Sequence, residues 1–178
     1  QISSHISFNS ITQFNRFKNN LEENIQYAFR INPQFSSVQF DQYNPCAKGS
    51  RFGATIQDLP EVLPREISGL HFHTLCESSA KDLEDVLKEI EAKFGHLLKQ
   101  VTWINLGGGH HITKPGYDIE LLIHLIKTLR EKYTIDVYLE PGEAIGLNTG
   151  YLISKVEDVV KNDNETTVIL NVSFAAHM

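Results

Sequence analysis

The sequence predicts an α/β fold built on a parallel sheet, followed from about residue 149 by a β-rich segment. Three observations carry that expectation. Short apolar runs alternate with amphipathic helical patterns, the signature of β-α units whose strands pair in parallel. The polar and glycine-rich residues fall where those strands end, over 73–77, 107–111 and 140–143. After Asn148 the rhythm changes to two strand-like runs with no helix between them.

Residues 5–8 form a short strand, and Ser10 caps a helix to about Asn20 with Ile11, Phe14 and Phe17 on one face. The run 26–31 (QYAFRI) is the next strand, stopped by Asn32-Pro33. From Gln34 to about Pro64 the chain is irregular, and so long a loop in a compact domain works at a site or covers one. Residues 69–74 (GLHFHT) are a strand leading into a helix. That helix carries Ala80, Leu83, Leu87, Ile90, Phe94 and Leu97 on one face, with Ser79 and Asp82 as its capping box. The run 101–106 (VTWINL) is nearly continuous in apolar residues, as a parallel strand covered on both faces requires.

A helix from Asp118 to about Lys132 turns Ile119, Leu122, Ile123, Ile126 and Leu129 inward, and 135–139 (IDVYL) is the following strand. The runs 151–160 and 166–174 make an antiparallel hairpin through the polar turn 161–165 (KNDNE). The chain thus divides into 1–148 and 149–178. An open doubly wound sheet and a barrel both satisfy the first part, and both place their sites at the carboxyl edge of the strands. Five strands do not close an eight-stranded barrel, so a barrel implies that its first strands are missing.

The 178 residues, 41% hydrophobic and 21% charged, are enough to bury a core. A net charge of −6 argues against a general binder of nucleic acid or of anionic membranes. No apolar run approaches the roughly 20 residues of a membrane span. Two cysteines, Cys46 and Cys76, form no disulfide framework and favour a reducing, cytoplasmic setting. An opening at Gln1 inside folded sequence, with Met178 the sole methionine, leads us to expect a fragment.

Gly107-Gly108-Gly109 lets backbone approach a ligand, and its N–H groups suit phosphate oxygens as well as a plain strand-to-helix turn. Glu140-Pro141-Gly142-Glu143 places a carboxylate at a strand end, although a type II turn with both glutamates solvated accounts for it locally. His71 and His73 share one strand face, and His110-His111 adds two imidazoles. A metal site needs ligands in known geometry, and no HxxxH, HExxH or CxxC is present, so none is expected. Cys76 reads as a partly buried structural thiol.

Taken in order, GLHFHTLCE (69–77), INLGGGHHIT (104–113) and YLEPGEA (138–144) resemble the alanine-racemase-like, fold-type III decarboxylases that use pyridoxal phosphate, and in particular their carboxypolyamine branch. RINP (30–33), YNPCAKGSRFG (43–53) and AHM (176–178) extend the likeness over nearly the whole chain. The resemblance implies a partial (β/α)8 barrel followed by the start of a β-domain. It implies pyridoxal phosphate as cofactor, with His73 stacked on the ring, Gly107, Gly108 and Gly109 holding the phosphate through backbone N–H groups, Glu140 on the ring nitrogen, and Gly142 among the cofactor-binding residues. Arg30 falls near the cofactor, and Cys76 falls where relatives carry a phosphate-binding serine.

Glu143 departs from the family, since ornithine and diaminopimelate decarboxylases carry arginine there. A carboxylate attracts ammonium, so the resemblance implies a carboxypolyamine substrate, carboxynorspermidine or carboxyspermidine, converted to norspermidine or spermidine and CO₂. The family attaches its cofactor to a lysine of the first barrel strand, and no lysine here sits on an apolar strand before His73. The implied enzyme is a homodimer, and the chain alone is expected to be inactive. The alternatives are a decarboxylase of the same fold acting on diaminopimelate, ornithine or arginine, a non-catalytic pyridoxal-phosphate carrier, and a metal-dependent hydrolase using His71, His73, His110 and His111.

Overall fold

The computed structural model describes residues 3–38, 43–173 and 175. It divides into two units, Gln1–Leu147 and Asn148–Met178. The first holds a five-stranded sheet of β1 (His5–Phe8), β2 (Gln26–Arg30), β3 (Ile67–His71), β4 (Trp103–Asn105) and β5 (Asp136–Tyr138). All four pairings are parallel, and the strands lie side by side in chain order. A doubly wound sheet reverses its order at a switch point, whereas a barrel adds each strand beside the last. The sheet is also strongly curled. His5 on β1 and Tyr138 on β5 have ring centroids 5.0 Å apart, where a flat sheet would hold those two edges roughly 19 Å apart. Trp103 fills the hollow, 4.8 Å from His5 and 5.8 Å from Tyr138. Gly69 makes room for the indole, because a Cβ there would lie 2.1 Å from Trp103 Cε2. The arrangement is an arc of a β/α barrel.

The helices follow from local rules. Ser10 Oγ accepts from the Gln13 N–H to start α1 (Ile11–Phe17), which tightens into a 3-10 turn over Lys18–Asn20. Phe14 is buried, but Phe17 faces solvent. Ser79 and Asp82 close a capping box at the start of α2 (Ala80–Leu98), and Leu83, Ile90, Phe94 and Leu97 are fully buried against the sheet. Asp118 caps α3 (Ile119–Tyr133), which stops at Thr134 in the left-handed region, φ 56°. Leu122 and Leu129 of α3 are buried, whereas Ile119 and Ile123, expected to face inward, are exposed. Leu122 and Leu129 keep one narrow line against the core, and Ile123, one residue on, is rotated about 100° from it.

The strands are shorter than the apolar runs, since β4 shares only three register pairs with each neighbour. β3 ends at His71, which leaves His73 and Thr74 beyond it in the loop toward α2. The long segment after β2 folds back on the sheet. Ile31 bridges to Ala54, and the Asn32 side chain donates to the Phe52 carbonyl at 3.0 Å. Glu140-Pro141-Gly142-Glu143 is not a type II turn: Pro141 precedes a short helix, α4 (Gly142–Gly146), which the fixed proline φ favours and which buries Ala144.

The second unit is a hairpin of β6 (Val156–Asn162) and β7 (Glu165–Leu170). Its turn is only Asp163-Asn164, with Asp163 at φ 53°. Lys161, Asn162 and Glu165, expected in the turn, are paired strand residues. Residues 151–155 precede the first strand, and AHM (176–178) lies outside the described residues. Among the described residues, no helix is long and apolar enough to cross a membrane.

Candidate active site

Register aligns polar side chains along the carboxyl edge of the sheet. Arg30 pairs with His71, and His71 pairs with Asn105. Neighbours in a parallel ladder face the same way, so β2, β3 and β4 present one polar row. Asn105 donates from Nδ2 to Glu140 Oε1 at 2.8 Å, and its Oδ1 accepts the Gly107 N–H at 2.8 Å. His71 Nδ1 lies 3.1 Å from Ser7 Oγ and its Nε2 lies 3.9 Å from Glu140 Oε2. Burial holds the His71 pKa down to about 4 against the opposing pull of Glu140, so the ring is neutral near pH 7 and the contact with Glu140 is not an ion pair.

His73, half-buried past the strand end, accepts the Gly108 N–H at Nδ1, 3.3 Å away. Burial and the Arg30 cation lower its pKa, and Glu140 raises it. Arg30 ends β2 with its guanidinium 4.7 Å above the Phe52 ring. Burial works against its charge, while Cys46 and Glu140 favour it. Its Nε is buried without a hydrogen-bond partner.

Packing alone requires the glycine run. A Cβ on Gly107 would lie 2.4 Å from the Phe72 carbonyl oxygen, and one on Gly109 would lie 2.3 Å from that of Leu75. The Gly107 N–H donates to Asn105 Oδ1 and the Gly108 N–H to His73 Nδ1.

A cavity of about 460 Å³ opens beside this edge, lined in part by Arg30, Phe52, His73, Cys76, Glu77 and Glu143. Cys76 is exposed, not partly buried, because it starts the loop that leads to α2, where its N–H meets Ser78 Oγ at 3.2 Å. Burial and the carboxylates of Glu77 and Glu143 raise its pKa, which disfavours a thiolate. Gly142, the first residue of α4, donates its N–H to the Glu140 carbonyl at 2.8 Å. Glu143 Oε2 lies 3.0 Å from Nε2 of the buried His111.

The four imidazoles do not converge. His71 and His73 gather with Glu140, and His111 gathers with Glu77 and Glu143. His110 turns inward, its Nε2 3.3 Å from the Leu106 carbonyl. Sequence reasoning missed Asn105, Ser7, Phe52 and Glu77. A polar residue closing the apolar run VTWINL was the available signal for Asn105.

No family model matches the chain. It is 48% identical, over 99% of its length, to a carboxynorspermidine/carboxyspermidine decarboxylase from Campylobacter jejuni, of which it covers 46%. It is 43% identical, over 99%, to a carboxyaminopropylagmatine decarboxylase from Synechocystis, again covering 46%. The crystal structure of carboxynorspermidine decarboxylase from Campylobacter jejuni, complexed with norspermidine, superposes with a TM-score of 0.80 at 45% identity, over 95% of this chain and 43% of that one. The chain therefore spans slightly less than half the length of the curated relatives it matches. Over nearly all its residues in sequence, and in fold, it is similar to these decarboxylases.

Proposed function

We propose that the full-length protein decarboxylates a carboxypolyamine, carboxynorspermidine or carboxyspermidine, with pyridoxal phosphate as cofactor. The observation that carries this reading is Glu143 on the cavity wall beside Glu77. Two carboxylates at the rim attract the ammonium groups of a polyamine tail and repel a second substrate carboxylate, which argues against a diacid such as diaminopimelate. The two relatives from Campylobacter jejuni and Synechocystis, both decarboxylases of carboxylated polyamines by name, support the same substrate class.

The residues at the carboxyl edge fit the cofactor at its ring. Glu140, held by Asn105, offers a carboxylate to a ring nitrogen proton, and the uncharged His73 beside it suits stacking on an aromatic face. When bound, pyridoxal phosphate supplies a pyridinium ring that accepts the electron pair released as CO₂ departs. Glu140 keeps the proton on that nitrogen and so maintains the electron sink. The neutral His71 next to it adds no cation that would compete for the Glu140 charge. Arg30 supplies a fixed positive charge, with its Nε free to donate. Glu143 and Glu77 orient the amine tail.

Glu143→Gln in the full-length protein tests the assignment. We expect KM for the carboxypolyamine to rise about tenfold, the loss of one charged hydrogen bond, with cofactor affinity little changed. Unchanged kinetics would remove Glu143 from the substrate site. Carboxyaminopropylagmatine is the second substrate to assay, on the ground of the Synechocystis relative. Its guanidinium end suits the same carboxylates, and kcat/KM for the candidate substrates ranks them.

A further inference from the structure

We propose that Glu77, His111 and Glu143 form a binding site for a divalent transition-metal ion of the zinc class. One ligand atom from each of the three side chains lies within 4.8 Å of the others. The second observation is the state of His111. Its residue is only 5% exposed, yet neither ring nitrogen has a hydrogen-bond partner. Nε2 sits 3.0 Å from Glu143 Oε2 without the alignment of a hydrogen bond. A buried imidazole with both nitrogens unsatisfied is unfavourable, and a metal ion between nitrogen and carboxylate would satisfy both groups.

The His111–Glu143 spacing suits such an ion, with a Glu77 oxygen within 4.8 Å of both. Zinc holds imidazole nitrogen and carboxylate oxygen at about 2.1 Å, so two tetrahedral ligands stand about 3.4 Å apart. The His111–Glu143 pair needs to open by only a few tenths of an ångström. The backbone carrying the three ligands is cross-braced. A parallel bridge joins Ser78 to His110, and the Ser78 N–H donates to the Gly109 carbonyl at 2.8 Å, which ties the Glu77 and His111 loops together. Thr113 Oγ1 donates to the Ala144 carbonyl at 2.6 Å, which ties α4 and Glu143 to the same loop. Glu77 and Glu143 line the cavity, which leaves a path of entry and room for a water as fourth ligand.

The other ligand-type cluster, His71, His73 and Glu140, differs in degree. Its members bond Ser7, the Gly108 N–H and Asn105, so His71 keeps one unpartnered nitrogen, Nε2, where His111 has two.

The site stands independently of the amine reading, but the two meet at Glu143. A bound cation neutralises the carboxylates that would attract the amine tail, so the metal acts as an inhibitor competing with substrate and not as a reaction partner. The test is calorimetric titration of the metal-stripped full-length protein with Zn²⁺, repeated with Co²⁺ as a visible-absorption probe. We expect a single Zn²⁺ site, ligand-field bands with Co²⁺, and affinity reduced at least about tenfold in both Glu77→Gln and Glu143→Gln. Glu77 is exposed, so its variant tests the site without disturbing the core. Absence of Zn²⁺ binding, or equal affinity in wild type and both variants, would overturn the proposal. The metal-free KM of Glu143→Gln reports separately on the amine reading.

Discussion

Asn105 gives its side-chain N–H to Glu140 at 2.8 Å and takes the Gly107 N–H on its oxygen, also at 2.8 Å. One amide therefore couples the glycine loop after β4 to the carboxylate after β5. An amide is suited to this position because it donates on one side and accepts on the other.

That coupling makes Asn105 a positioning residue. Asn105→Ala should weaken pyridoxal-phosphate binding by about tenfold while lowering stability by only about 1 kcal/mol, the worth of an ordinary hydrogen bond. Asn105→Asp should be worse for the cofactor, since it sets a like charge against Glu140. Cofactor titration by absorbance, alongside thermal melts, reads both effects. Equal losses of stability and affinity would mark Asn105 as purely structural.

Glu140→Gln retains size and hydrogen bonding but no longer holds a proton on a ring nitrogen. We expect kcat to fall by about a hundredfold or more, the usual scale for removing a preorganised charge contact. KM should change far less. Steady-state kinetics on the full-length protein checks this, and a drop confined to KM would contradict the role.

Stability should depend on pH through His71. Its pKa is 6.5 when unperturbed and about 4 in the folded chain. The unfolded chain therefore binds more protons between those values, and stability falls as pH drops from 6.5 toward 4. Burial lowers the pKa of His73 and His110 as well, so they add in the same direction. Melting temperatures over that range should fall on acidification, and less steeply in His71→Gln. An unchanged slope in the variant would show that His71 is not the titrating group.

Gly69→Ala tests the curl of the sheet. Its new methyl would lie 2.1 Å from Trp103 Cε2, and overpacking of this kind costs about 1–3 kcal/mol. Trp103 is the sole tryptophan, so its fluorescence reports the displaced indole during the same melt. A variant as stable as wild type, with an unshifted emission, would mean that the indole moves aside freely.

Much of the fold was legible because it is local. The Ser79–Asp82 capping box and the apolar stripe of α2 lie within one stretch of sequence, and the helix forms where they place it. Strand ends were less legible, since a strand lasts only as long as its neighbours stay in register, and β4 keeps three pairs on each side. The same limit hid the exposure of Cys76 and the two-residue turn at Asp163.

The sequence by itself determined the α/β pattern, the helix caps and the clustering of polar residues at the carboxyl ends of strands, because each depends on residues a few positions apart. Only the tertiary structure decided between open sheet and barrel arc, through the curl that brings His5 to Tyr138. It alone joined Asn105 to Glu140 and His111 to Glu143, pairs 35 and 32 positions apart in the chain. Such contacts are set by how strands stack and loops converge, which no local periodicity encodes.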